Sequence, residues 1–162
     1  MNDRTDYNNL LKFEPLNEGN IQYRATIVND GKNCELIGLD NKISPSDNIE
    51  WFKKYETEKT KYFFIVYNNG EPCGMVGLMN IDPTFKTGEV FIVLNDAAKG
   101  KGIGKKSMDF IMDYAKTNHS VRKIYLSVLN ENTIAINLYK KIGFSEIKNS
   151  SLVGELEMEK SI

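Results

Sequence analysis

NDAAKGKGIGKKS, residues 95–107, stands where one periodicity gives way to another and decides how the chain folds. The run before it, residues 87–94 (TGEVFIVL), is β-branched and aromatic and reads as a strand. From Ile103 the period changes. Ile103, Ser107, Phe110, Ile111, Tyr114 and Ala115 share one helical face, while Lys105, Lys106, Asp109, Asp113 and Lys116 lie off it. A strand therefore enters a helix through Lys99-Gly100-Lys101-Gly102-Ile103-Gly104. Glycines let a backbone come close to a ligand, and the free amides of a helix start carry roughly half a positive charge. Lysines at that pole are unfavourable by roughly a few tenths of a kcal/mol each unless an anion offsets them. Lys99, Lys101, Lys105 and Lys106 crowd it, so the segment predicts a ligand bearing phosphate or pyrophosphate.

Two familiar phosphate loops do not fit. A P-loop needs GxxxxGK[ST], but Gly100 and Gly104 stand too close together and Ser107 follows Lys106. A dinucleotide fingerprint, GxGxxG, accepts Gly100 and Gly102 but meets Lys105 where its third glycine belongs. The plain alternative is a glycine-softened turn carrying solvated lysines.

Outward from this segment, the strand signals continue in both directions. Residues 61–67 (KYFFIVY) run into Asn68-Asn69-Gly70, a hairpin signal, and residues 73–81 (CGMVGLMNI) follow, closed by Asp82-Pro83. Residues 123–129 (KIYLSVL), 144–148 and 152–159 supply later strands, and residues 10–16 a weaker early one. Residues 133–141 read as a helix with Ala135, Leu138, Tyr139 and Ile142 inward and Gly143 as its stop. Residues 46–59 open on Ser46 or Asp47 as a cap with Trp51 and Phe52 as apolar anchors, and residues 20–30 form a further helix. The order predicts a mixed α/β fold, antiparallel in its first half, with a crossover after the third meander strand.

Composition narrows the function. The chain has 162 residues, 41% hydrophobic and 27% charged, so one globular domain over residues 1–162 is expected. Its 21 basic and 22 acidic residues leave a net charge of -1, which argues against a nucleic-acid partner. No apolar run is long enough to span a membrane, and the polar start (MNDRTDYNN) is unlike a secretory signal, so a soluble cytoplasmic chain is expected. Cys34 and Cys73 lack CxxC spacing and read as free thiols. The one histidine, His119, excludes a His-rich metal site; it reads as an exposed imidazolium at a helix end, and no metal is expected.

A second segment joins the first. Val128-Leu129-Asn130-Glu131-Asn132-Thr133-Ile134-Ala135-Ile136-Asn137-Leu138-Tyr139-Lys140-Lys141-Ile142-Gly143-Phe144 reads as strand, cap, helix, glycine stop and strand. Asn132 is the expected cap and Asn130 its rival; Tyr139 sits on the apolar face. This segment resembles the V-x-x-x-N-x-x-A-x-x-L-Y-x-x-x-G-F pattern of the GNAT superfamily of N-acetyltransferases. Residues 99–104 resemble that family's acyl-CoA loop, [QR]-x-x-G-x-[GA], with Lys99 in place of Gln or Arg.

The resemblance implies a GNAT fold, a mostly antiparallel sheet of about seven strands flanked by about four helices. It implies acetyl-CoA as cosubstrate and a primary amine as acceptor, attacked directly in a ternary complex. Ile92, Val93 and Leu94 match the strand that pairs with pantetheine. Lys99, Gly100, Lys101, Gly102, Ile103, Gly104 and Lys105 match the pyrophosphate loop, and Asn132 the asparagine on the cofactor arm. Tyr139 matches the tyrosine that protonates the departing thiolate, and Glu89 is the best candidate base. Another branch places a catalytic Glu where this chain has Ser127; Glu131 and Asp96 are weaker candidates.

For the acceptor, residues 42–54 and 71–82 resemble amino-sugar nucleotide acetyltransferases and their ribosomal-protein relatives, which makes an amino-sugar nucleotide the first expectation. Polyamines and protein N-termini are alternatives, although residues 1–54 hold no dense acidic block. A non-catalytic acetyl-CoA-binding module is the alternative of another class. The resemblance allows a monomer or homodimer, the latter through pairing of the strand at 152–159.

Overall fold

Aromatic and β-branched runs become paired strands wherever the chain supplies a turn between them. The structure, a computed structural model, describes residues 11–148 and 153–162. β1 (Leu11–Pro15), β2 (Tyr62–Asn68), β3 (Glu71–Asp82) and β4 (Thr87–Leu94) form an antiparallel meander. Asn69 and Gly70 join β2 to β3 with φ of 52° and 82°, the left-handed pair a tight hairpin requires. After the crossover come β5 (Lys123–Leu129), β6 (Ser145–Glu146) and β7 (Glu155–Ser161). Among the described residues the sheet has seven strands in the order β1-β2-β3-β4-β5-β7-β6, and the mixed α/β fold expected from the sequence is the one observed.

Among the described residues five helices cover its faces: α1 (Ile21–Val28), α2 (Asn33–Leu36), α3 (Pro45–Thr57), α4 (Ile103–His119) and α5 (Thr133–Lys141). α2 leaves no periodic signal in the sequence, because one turn is too short to show a period. α3 starts earlier than expected. Pro45 occupies its first turn, and the hydroxyl of Ser44, not Ser46 or Asp47, accepts the Asp47 amide at 3.1 Å.

Strand alternation sends side chains to two cores. Val76, Leu78, Ile124, Leu126 and Met158 pack with Met108 and Ile111 of α4 on one face. Phe63, Ile65, Met75 and Val93 pack under Ile27, Val28 and Phe52 of α1 and α3 on the other. Each such buried side chain contributes about 1.5–3 kcal/mol. Trp51 belongs to this second core, stacked on Tyr55 at 5.4 Å. Cys73 is buried in the first core, and both cysteines are free.

Two expectations are corrected. His119 is not an exposed imidazolium: it ends α4 lodged against Tyr62 and Tyr114, and burial pushes its pKa down. The tail strand runs Glu155–Ser161, shifted from 152–159; Leu152, like Leu10, lies outside the described residues. It sits between β5 and β6, with Glu157 O also accepting the Ile147 amide at 2.8 Å. Its β5 side is paired along its whole length and its other side from Glu157 to Glu159, which leaves only the ends of that outer edge open.

Candidate active site

β4 and β5 are parallel but stay paired only from Thr87 to Glu89 and from Lys123 to Tyr125. Beyond that they part. The Asn95 amide bonds Cys73 O at 2.8 Å, which fixes the parity of the β3–β4 ladder. By that parity Glu89, Phe91 and Val93 spend their amides on β3, while Val90, Ile92 and Leu94 turn theirs toward the gap. An unpaired strand edge thus lines an open cleft. Such an edge accepts an extended ligand carrying its own amides.

The cleft holds a cavity of about 130 Å³ bounded by Ile92, Val93 and Leu94 of β4, Asn132 and Tyr139 at α5, and Lys99 and Gly104 of the loop. Gly104 has no side chain to intrude: a Cβ there would come within 3.0 Å of Leu138. Gly100 and Gly102 take φ of 76° and 77°, the conformation that glycine adopts without penalty. α4 begins at Ile103 with no side-chain cap and no acidic residue in its first turn, so its leading amides and the nearby lysines leave a positive pole uncompensated.

The loop residues differ in role. The side chain of Ile103 is buried in the core, which leaves only its main chain for a ligand. Lys105 pairs with Asp109 at 2.8 Å on the outside of α4. The Lys99 ammonium donates to Asp96 and to Asn33, each at 2.9 Å. Asp96 is committed to that contact, and Glu131 lies exposed in the β5–α5 turn. Asn132 is the cap of α5, its Oδ1 accepting the Ala135 amide at 3.3 Å. The rival, Asn130, does not fill that role.

A second cavity of about 320 Å³ opens on the sheet face toward β7, and Ile92, Asn132 and Tyr139 line both. Glu89 reaches the second cavity with Ser127 and Glu155. Tyr139, buried between the two, has its hydroxyl pushed up to about 12 by desolvation, so it holds its proton at neutral pH. Asn80, at a bulge with φ of 47°, donates to Glu89 at 2.7 Å and orients it.

The register adds carboxylates that motif reading missed. Glu155, Glu157 and Glu159 of β7 stand opposite Leu129, Ser127 and Tyr125 of β5, on the face that carries Glu89. Where the chain has Ser127 in place of a Glu, Glu157 therefore arrives from the neighbouring strand. The Tyr125 hydroxyl senses this field: burial pushes it up, Glu89 adds to the push, and Glu157 and Asp82 add further. The signal was present in residues 155–159 as Glu at every second position, the polar half of the Leu156–Met158 alternation. Asn33 and Asn80 carry no local pattern, and only the fold reveals them.

A buried tyrosine that keeps its proton thus stands between a cleft with a positive pole and a cavity that Glu89 and Glu155 line, an arrangement suited to group transfer. Residues 30–144 match the acetyltransferase (GNAT) family, and the chain belongs to that family. It is 33% identical over 135 residues to a spermidine N(1)-acetyltransferase of Escherichia coli, covering 83% of this chain and 73% of the relative. It is 34% identical over 138 residues to an N-alpha-acetyltransferase of Sulfurisphaera tokodaii, covering 72% of this chain and 80% of that one. The fold matches spermidine N-acetyltransferase of Vibrio cholerae, solved with CoA and spermine, at a TM-score of 0.81 and 22% identity over 94% of this chain and 95% of that one. Among the described residues no helix is long and apolar enough to cross a membrane.

Proposed function

We propose that this chain moves the acetyl group of acetyl-CoA to a primary amine of a linear polyamine. The observation that carries the reading is the carboxylate face formed by Glu89 and Glu155, which line the cavity that Tyr139 also lines, with Glu157 between Glu155 and Glu159 on the same strand face and Glu159 paired to Lys123 at 3.7 Å. Alternate residues of a strand lie about 6.8 Å apart, a spacing suited to ammonium groups joined by short methylene chains. An amino-sugar nucleotide carries phosphates that such a face would repel, so the polyamine reading displaces that first expectation. The spermidine acetyltransferase relatives support it.

Acetyl-CoA would lie along the first cavity and extend over the glycine loop beside it. The amides at Gly100, Gly102, Ile103 and Gly104, with Lys101 and Lys105 nearby, would meet its pyrophosphate. Ile92 and Leu94 would pair with the pantetheine amides, with Val93 completing that strand. Asn132 would border the arm. The acceptor ammonium, with a pKa of ~10, first gives up a proton to water; the neutral nitrogen then attacks the thioester carbonyl and loses a further proton as the C–N bond forms, because bonding to carbon makes the nitrogen acidic. Glu89, held by Asn80, takes that proton directly or through water. Tyr139 donates its proton to the departing thiolate, and amide and free CoA result.

Thiol release measured over spermidine, spermine, a diamine, an amino-sugar nucleotide and a peptide N-terminus tests the reading. kcat/KM is expected to rise with the number of ammonium groups. Glu157→Gln should raise KM for spermidine about tenfold, the size of a lost charge-assisted contact, with kcat little changed. A preference for the nucleotide or the peptide would refute the acceptor assignment. Acetyl-CoA binding without thiol release on any amine would instead support the non-catalytic module.

A further inference from the structure

One buried carboxamide fastens the turn between α1 and α2 to the cofactor side of the molecule. Asn33 is 2% exposed, and every polar atom of its side chain is used. Its Nδ2 donates to Ile27 O and to Leu94 O, both at 2.8 Å, while its Oδ1 accepts from the Lys99 ammonium at 2.9 Å. The orientation is unambiguous: flipping the amide would aim an oxygen at two carbonyls and an NH2 at an ammonium. Beside it, Asp30 Oδ2 accepts the Asp96 amide at 2.7 Å. Gly31, with φ of 51°, lies so close to Asp96 that any side chain there would overlap its carboxylate. The turn is therefore docked on residues 94–99 through Asp30 and Asn33.

The consequence concerns the edge of β4. Parity turns the Leu94 carbonyl toward the gap, and Asn33 caps it, so the last acceptor on that edge is already satisfied. The same side chain holds Lys99 at the mouth of the cavity. Without it, the Lys99 ammonium would retain only Asp96, an exposed partner three residues away that leaves the long side chain free to rotate. Neither Asp nor Leu offers both the two donors and the acceptor, and Gln carries its amide one methylene further out. We infer that Asn33 is a positioning residue for cofactor binding, acting through Lys99 and through the Leu94 carbonyl. It couples α2, whose last residue Leu36 lines both cavities together with the following Ile37, to the loop that would receive the pyrophosphate.

The inference rests on acetyl-CoA occupying this cleft, and calorimetric titration with acetyl-CoA separates the two. If the wild-type protein does not bind acetyl-CoA, the cleft reading itself fails. If it binds, Asn33→Leu and Lys99→Met should each weaken affinity about tenfold, the size of one lost charge-assisted bond. The double variant should be no more than about twofold worse than the weaker single one, because both changes break one linkage. Unchanged affinity in a folded Asn33→Leu protein, or additive losses in the double variant, would overturn the inference alone. Should Asn33→Leu fail to fold, Asn33→Ala decides, since it removes the contacts to Lys99 and Leu94 without adding bulk. A loss within about threefold of that in Lys99→Met supports the inference. A loss outside that range, smaller or larger, overturns it.

Discussion

Replacing Gly102 by Asp sets backbone strain against charge at the start of α4. Gly102 has φ of 77° and ψ of 3°, and a Cβ built there meets no atom within 4 Å. A side chain therefore fits sterically, and its direct cost to the fold is the left-handed conformation, about 1–2 kcal/mol. For a domain of this size that corresponds to a Tm lower by roughly 2–8 °C. Gly102→Ala carries the same strain without the charge. Because the strain is present with or without ligand, Ala should bind acetyl-CoA within about threefold of wild type. With the pyrophosphate on the loop as proposed, a carboxylate at the same point would face it; two unit charges about 4–6 Å apart repel by about 3–4 kcal/mol at an effective dielectric near 20. The affinity of Gly102→Asp for acetyl-CoA should thus fall by roughly two to three orders of magnitude, and the loss should shrink as salt is raised. Calorimetric titration with parallel thermal melts reads both quantities. Equal losses for Ala and Asp would show that conformation, not charge, governs the loop. Full affinity in the Asp variant would refute the pyrophosphate placement.

The remaining expectations concern buried titrating groups. Tyr139→Phe should lower kcat about a hundredfold while leaving the acetyl-CoA dissociation constant nearly unchanged, as loss of a general acid requires; unchanged turnover would remove Tyr139 from the chemistry. Its pKa of about 12, against 10.0 for an unburied tyrosine, also has a stability consequence. The contribution is complete below the unfolded value and is lost as pH rises through about 12, so Tyr139→Phe should flatten the alkaline fall in Tm. For His119 the sign is opposite. Burial lowers its pKa, and its Nε2 has no partner among the described residues, so its neutral form is the one the fold accommodates. Stability from this residue is complete above the ordinary value of 6.5 and declines as pH falls below it toward the folded value. His119→Phe should make the acid side of the Tm profile shallower; an unaltered profile would mean the imidazole does not titrate on unfolding.

Local periodicity carried much of the fold. β4, β5 and α5 lie where the sequence reading put them, because each is a run of seven or more residues with one period and a marked stop. The Asn132 cap was legible for the same reason: a cap is a contact three residues long. α2 and β6, with four and two residues, fall below the length at which a period exists. The start of α3 was misjudged because Ser44 and Ser46 are both competent caps, and only Pro45 at the first helical position distinguishes them.

The sequence by itself determined the family, the strand-to-helix loop with its glycines and lysines, and the tyrosine on α5, since each is set by residues close together in the chain. The tertiary structure alone decided what those residues face. A parallel seam that opens after three residue pairs turns the β4 edge into one wall of a cleft. Antiparallel pairing of β7 brings Glu157 opposite Ser127, and a buried amide joins Asn33 to Leu94 and Lys99, 61 and 66 residues away. Contacts at such separations follow from strand register and helix docking, which no local pattern of residue types encodes.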